Sequence, residues 1–177
     1  TVQSNDAIAF ITNNVIEDNN SQGNPNLGGS GINLLASVEG NNIIAFGNEI
    51  RRNLWGITLQ GEAMINLGDD VNNIGQNVFS ENGNGGNVYA LFNNTDNPVT
   101  AMHNCWDEDN APISLADAEA VISHQNDNAT LGLVTFDPVD CGFLSVEDLS
   151  INAMTVYPNP TDGQLVIKNF KKHSINL

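Results

Sequence analysis

Apolar residues in this chain come in short runs that alternate with polar neighbours, and the runs are separated by stretches of Asn and Gly. A period of two predicts half-buried strands. One six-residue pattern recurs. Asn14-Val15-Ile16-Glu17-Asp18-Asn19 matches Asn48-Glu49-Ile50-Arg51-Arg52-Asn53 and Asn77-Val78-Phe79-Ser80-Glu81-Asn82. A fourth copy, Asn104-Cys105-Trp106-Asp107-Glu108-Asp109, loses its last Asn, and successive copies start 34, 29 and 27 residues apart. A second alternating register follows the copies, at Ile32-Asn33-Leu34, Ile57-Thr58-Leu59 and Val88-Tyr89-Ala90. Nothing before residue 112 has a helical period.

A repeat of this length with variable turns predicts a solenoid, each repeat being one coil of parallel strands. Ile16, Ile50, Phe79 and Trp106 are then expected inside, one per coil. Asn14, Asn48, Asn77 and Asn104 are expected at a bend, each amide bonding the next along the axis. An antiparallel sandwich with Asn-rich hairpins is the alternative, but it gives no reason for the repeat. After the fourth copy the texture changes. Pro112 to Asp117 reads as a helix start, with Ser114 and Asp117 forming a capping box. Leu115, Ala118, Val121 and Ile122 share one helical face. Leu131 to Phe136 then reads as a strand ending near Pro138. Helix and strand together are expected to cover the open edge of the last coil. The fold class is therefore all-β: a parallel solenoid with a short capping helix.

Composition adds to this picture. The 177 residues include 30 Asn, a residue suited to turns because it tolerates left-handed backbone. The formal net charge is −16. Residues 1–153 hold 20 acids against Arg51 and Arg52, a balance of −18, and residues 154–177 hold Asp162 against Lys168, Lys171 and Lys172, a balance of +2. That shift places a linker at 142–153, between a solenoid over 1–141 and a second module over 154–177. The acidity excludes a nucleic-acid partner, which needs a basic footprint. No apolar run approaches the roughly 18 residues that span a bilayer. The chain opens mid-pattern at Thr1 without a signal peptide, and further coils are expected upstream. Cys105 and Cys141 flank the cap segment; they read either as a disulfide or as two free thiols. There is no Cys-x-x-Cys, and His103, His124 and His173 are scattered, so no metal centre or cofactor is expected. Asp107-Glu108-Asp109 offers carboxylates to calcium, without a defined ligand loop.

Residues 7–141 resemble the right-handed parallel β-helix families, the pectate-lyase-like superfamily of secreted polysaccharide lyases, glycosidases and surface proteins. Val99 to Trp106, with Ile113, Ile122, Asp127 and Val134 to Pro138, resembles the closing coil of bacterial members. Asn104-Cys105-Trp106-Asp107 stands where Asn-Tyr-Trp-Gly is usual, which marks Cys105 as having a special partner. Met154 to Ile167 resembles the start of the C-terminal sorting domain of type IX secretion cargo, carried by Tyr157-Pro158-Asn159-Pro160-Thr161-Asp162-Gly163 and the alternating residues after it. The resemblance implies a Gram-negative cell, export through the periplasm, and passage through an outer-membrane translocon with its sorting-domain recognition proteins. It also implies release or surface attachment, and a β-sandwich of which this chain carries the first strands. Tyr157, Pro158, Asn159, Pro160 and Gly163 are the sorting residues it assigns.

Catalytic signals are sparse. Gly68-Asp69-Asp70 and Asn94-Thr95-Asp96 echo the carboxylate motifs of polygalacturonase-type hydrolases, but in reverse order and without their His and Arg-x-Lys elements. Arg51 and Arg52, on a strand, point to opposite faces. Tyr89 and Phe92 read as packing residues, or as sugar-stacking residues if exposed. No catalytic residue is assigned. The expected function is a secreted or cell-surface stalk, adhesin or glycan-contacting module with a C-terminal export signal. The alternative is the end of a polysaccharide lyase or glycoside hydrolase whose active site lies upstream.

Overall fold

The computed structural model describes residues 2–3, 8–21, 23–40, 42–83, 89–106, 113–142, 154–157 and 166–169. Contacts divide the chain into two units, Thr1–Leu144 and Ser145–Leu177.

The first unit is built from thirteen short strands: β1 Val2–Gln3, β2 Ile8–Thr12, β3 Val15–Glu17, β4 Ser30–Ala36, β5 Asn42–Phe46, β6 Glu49–Arg51, β7 Trp55–Gly61, β8 Asn66–Gly68, β9 Val78–Ser80, β10 Leu91–Asn94, β11 Val99–Ala101, β12 Ile122–Ser123 and β13 Val134–Thr135. They form three sheets with every pairing parallel. The first sheet runs β1-β4-β7-β10-β12, the second β13-β11-β8-β5-β2 and the third β3-β6-β9. A single bridge from Val78 to Cys105 carries the third sheet into the next coil. The chain visits the sheets in a fixed order up to β11, so strands three apart in sequence lie side by side; the closing pairs β10–β12 and β11–β13 are two apart. This all-β, parallel arrangement is consistent with a β-helix-like solenoid.

Sequence explains the stacking. Register places Ile16 opposite Ile50 and Ile50 opposite Phe79. Ile50, Phe79 and Trp106 are buried, and Ile16 packs against them from the first coil. The Phe79 and Trp106 rings stack with centroids 4.4 Å apart. In the first sheet Ile32, Ile57, Leu91 and Ile122 make a second inward column. Each such side chain contributes about 1.5–3 kcal/mol by leaving water. The column beginning at Leu34 and Leu59 ends on a polar group, since buried Asn93 lies opposite Leu59. Its amide donates to the carbonyls of Asn97 (2.9 Å) and Gly132 (3.1 Å), and its oxygen accepts from Thr95 (2.7 Å). Gly132 has to be glycine: a Cβ there would lie 1.9 Å from the Asn97 carbonyl oxygen.

Two asparagine ladders run along the stack. In the first, the Nδ2 of Asn14 donates to Oδ1 of Asn48 (3.1 Å), Asn48 to Asn77 (2.9 Å) and Asn77 to Asn104 (2.9 Å). Each backbone N–H reaches the same oxygen as its own side chain, at 2.8–3.1 Å. The second ladder joins Asn19 to Asn53 (2.8 Å) and Asn53 to Asn82 (3.0 Å). Both ladders stand at corners: the first between the second and third sheets, the other between the third and first. A left-handed residue precedes every rung. These are Asn13 (φ 54°), Gly47 (64°), Gln76 (60°) and His103 (58°) on the first ladder, and Asp18 (59°), Arg52 (52°) and Glu81 (52°) on the second. Each non-glycine residue there costs about 1–2 kcal/mol. The ladder bonds and the burial that the corners allow outweigh it.

The closing segment departs from expectation in extent. The helix α1 covers only Leu115–Ala120, with Ser114 as N-cap and the capping box with Asp117 formed. Of the expected apolar face, Ala118 is buried but Leu115 is 44% exposed. Ile122 belongs to β12 and pairs with Leu91, because the sheet offers its backbone partners that one more helical turn would not. The run Leu131 to Phe136 narrows to the two residues of β13. The third alternating segment is also shifted. The strand is Leu91–Asn94 rather than Val88-Tyr89-Ala90, since it is Leu91 that faces Ile57; Val88 lies outside the described residues. Among the described residues before 112 the helical content is a 3-10 turn at Pro25–Leu27.

In the second unit, β14 Met154–Tyr157 pairs antiparallel with β15 Val166–Asn169, Tyr157 opposite Val166.

Candidate functional site

Two surface features of the first unit bring chemistry-bearing side chains together. Register aligns Ile57 with Leu91, so Trp55 and Tyr89, each two residues earlier, occupy matching positions in successive coils. Their rings stack with centroids 5.3 Å apart and planes 1° apart. Phe92, on the face of β10 opposite the buried Leu91, joins at 5.4 Å from Trp55 and 5.7 Å from Tyr89. All three are half-buried. Tyr89 and Phe92 therefore belong to one cluster, and Trp55 is the member missed in the sequence. Alignment on the inward column would have found it. The five strands of this sheet carry no charged side chain.

The second feature is a cleft of about 260 Å³ beside the bend after β8, lined by Asp70, Val71, Asn73, Ile74, Gln76, His103 and Asp140. The Nε2 of His103 contacts the carboxylate of Asp70. Asp69 is occupied by its own loop. Its Oδ1 accepts from the N–H groups of Val71 (3.0 Å), Asn72 (2.7 Å) and Asn73 (2.9 Å), and Oδ2 accepts from Asn66 (2.7 Å). These backbone donors pull the carboxyl down to about 2. An acid held ionised in this way cannot serve as a proton donor near neutral pH. Asn94, Thr95 and Asp96 sit at a different corner, after β10 in the first sheet, so the structure does not assemble the two carboxylate motifs into one site.

Arg51 and Arg52 do not point apart. Arg51 Nε lies 2.6 Å from Glu17, and Arg52 NH2 lies 2.7 Å from the same oxygen. Arg51 also meets Glu49, and Arg52 Nε lies 2.9 Å from Asp18. Strand alternation fails because Arg52 is the left-handed corner residue (φ 52°), which turns its side chain back toward that of Arg51. The Arg51 bond is the main reason the Glu17 carboxyl lies below its ordinary value, and the Arg52 bond does the same for Asp18. The pair thus neutralises neighbouring acids across two coils.

Cys105 and Cys141 are joined, S–S 2.02 Å, tying the last ladder coil to the end of the cap 36 residues later. His103 is at the cleft and His124 is buried in the cap. Among the described residues no three His, Cys, Asp or Glu side chains are grouped to hold a metal ion. Asp107, Glu108, Asp109, His173, Pro158, Asn159, Pro160 and Gly163 lie outside the described residues. Tyr157 is described only as the end of β14. Among the described residues no helix is long and apolar enough to cross a membrane. Comparison with protein-family models, curated proteins and solved structures finds no match.

Proposed function

We propose that this chain is cargo of a type IX secretion system, with a right-handed parallel β-helix as stalk or glycan-contacting module and residues 154–177 as the start of its export signal. The reading places the protein at or beyond the outer surface of a Gram-negative cell. Its partners there are the outer-membrane translocon and the proteins that recognise the sorting domain. The observation that carries the stalk is the pair of asparagine ladders, which link coil to coil without a break from Asn14 to Asn104 and from Asn19 to Asn82. Side-chain amides bonded along an axis resist bending and shear, as in stacked in-register strands. The support for export is the Tyr157-Pro158-Asn159-Pro160-Thr161-Asp162-Gly163 segment, which lies in a second unit and in a stretch, 154–177, whose charge balance of +2 is opposite to that of residues 1–153. The cluster of Trp55, Tyr89 and Phe92, on a sheet without charges, suits contact with an uncharged sugar face.

Export is tested in a type IX-competent bacterium that expresses the natural cargo. Pro158→Ala with Pro160→Ala, or deletion of residues 154 onward, is expected to leave the cargo in the periplasm. Undiminished secretion of both variants refutes the proposal.

A further inference from the structure

Among the described residues His124 is the one titratable group that is fully buried, at 1% exposure. Its ring joins separate parts of the cap. Nε2 lies 3.1 and 3.2 Å from the two carboxylate oxygens of Glu119 on α1. Nδ1 accepts the N–H of Val134 in β13 at 2.9 Å. The ring meets Phe136 edge to face, with centroids 6.2 Å apart. The backbone N–H of His124 donates to Asp127 at 3.0 Å, which fixes the turn after β12.

A ring nitrogen that accepts a hydrogen bond carries no proton. The single proton of the neutral ring is therefore on Nε2, where it points at Glu119. Burial raises the Glu119 carboxyl, and the bonds from Asn126 (2.8 Å) and His124 outweigh that and hold it below its ordinary value, so the carboxylate is present to accept.

We propose that His124 is an acid-released latch on the closing strand of the solenoid. A second proton on the ring must go to Nδ1. It turns the acceptor for Val134 into a donor, and two donors then face each other at 2.9 Å. The charged groups beside His124 are Glu119 from α1, which faces the ring, and Asp127 from the following turn, which accepts from the His124 backbone N–H. β12 and β13 bring none. The Glu119 carboxylate attracts the imidazolium, so the ring stays on the helix side while β13 loses its bond. That strand is short and stands at the end of its sheet, paired on one side only, with β11. The latch thus acts on the element that covers the last coil, where an opened edge is free to pair with another chain.

The test uses the full chain and nitrogen NMR with amide exchange at pH 8 and pH 5. At pH 8 the ring is expected to carry its proton on Nε2; a proton on Nδ1 overturns the proposal. After correction for the intrinsic effect of pH, Val134 is expected to lose about tenfold of its protection at pH 5, the worth of one hydrogen bond. Leu91, bonded to the carbonyl of Val121, is expected to keep its protection. His124→Asn keeps an acceptor oxygen near the Nδ1 position but takes up no proton there, so its Val134 protection is expected to be the same at both pH values. Equal Val134 protection at both pH values in the natural chain refutes the latch, as does the same acid loss in His124→Asn.

Discussion

Replacing Asn77 by alanine removes an interior rung, and the structure sets the cost. Its side chain makes five hydrogen bonds. Its oxygen accepts from the N–H (3.1 Å) and Nδ2 (2.9 Å) of Asn48, and its amide donates to Asn104 Oδ1 (2.9 Å), Ala45 O (3.0 Å) and Leu67 O (3.3 Å). Most of these partners have a second bond. Ala45 O keeps Asn73, Leu67 O keeps Asn104, Asn104 Oδ1 keeps the Asn77 N–H, and Asn48 Nδ2 keeps the carbonyls of Ile11 and Phe46. The Asn48 N–H is left without an acceptor. One orphaned buried donor costs about 1–3 kcal/mol, and with the other lost bonds the total is about 3 kcal/mol. Asn77→Asp is expected to cost more, about 4 kcal/mol, because an oxygen then faces three oxygens at 2.9–3.3 Å. Asn14→Ala, at the exposed end, is expected to cost about 0.5 kcal/mol, since its backbone N–H still reaches Asn48 Oδ1 at 3.1 Å. Urea unfolding with unchanged m-values measures all three. Equal losses at Asn14 and Asn77, or tolerance of Asp at 77, refute the ladder as a source of stability.

Four further outcomes follow from the same geometry. Glu81→Gly, at a left-handed corner with φ 52°, is expected to raise stability by about 0.5–1 kcal/mol, read as a higher melting temperature. Removing the Cys105–Cys141 bond by paired serine substitution frees a loop of 36 residues and is expected to cost about 3–4 kcal/mol in denaturant unfolding. Arg52→Ala breaks half-exposed pairs with Glu17 and Asp18, so its cost in denaturant unfolding is expected to be small beside that of Asn77→Ala and to shrink further in high salt. Asp69, depressed to about 2, adds stability that is complete above the unfolded carboxyl range near 3.9 and is lost as pH falls through about 2. Discounted for its partial exposure, that share is about 1 kcal/mol, and Asp69→Asn is expected to flatten the acid limb of the stability curve.

The repeat made the stack legible because the inward Ile16, Ile50 and Phe79 each follow their ladder Asn by two residues, although the copies themselves are 34, 29 and 27 residues apart. The strands of the second sheet were harder to see. β2, β5, β8 and β11 start 34, 24 and 33 residues apart, and β8 is only Asn66–Gly68, so no period picks them out. The corners were hidden for another reason. A left-handed residue precedes each rung, but Gly occupies just one of the seven positions, and Asn, Gln, His, Asp, Arg and Glu fill the rest. Arg52 shows the consequence: strand alternation misplaces it because its conformation is imposed by the neighbouring coils. His124 carried no motif, and its role appears only when Glu119 and Val134 are brought to opposite sides of one ring. Trp55, by contrast, was within reach of alignment on Ile57 and Leu91.

The Asn-x-(Ile/Phe/Trp)-x-x-Asn repeat stacks coil on coil in parallel register. Proton NMR contacts between β6 and β9 test it most directly, because parallel and antiparallel pairs bring different backbone hydrogens together. Ile50 is expected beside Phe79 and Glu49 beside Val78, with α-hydrogen to amide contacts running in the same chain direction. Close contacts between the α-hydrogens of facing residues on the two strands, the mark of an antiparallel pair, contradict it.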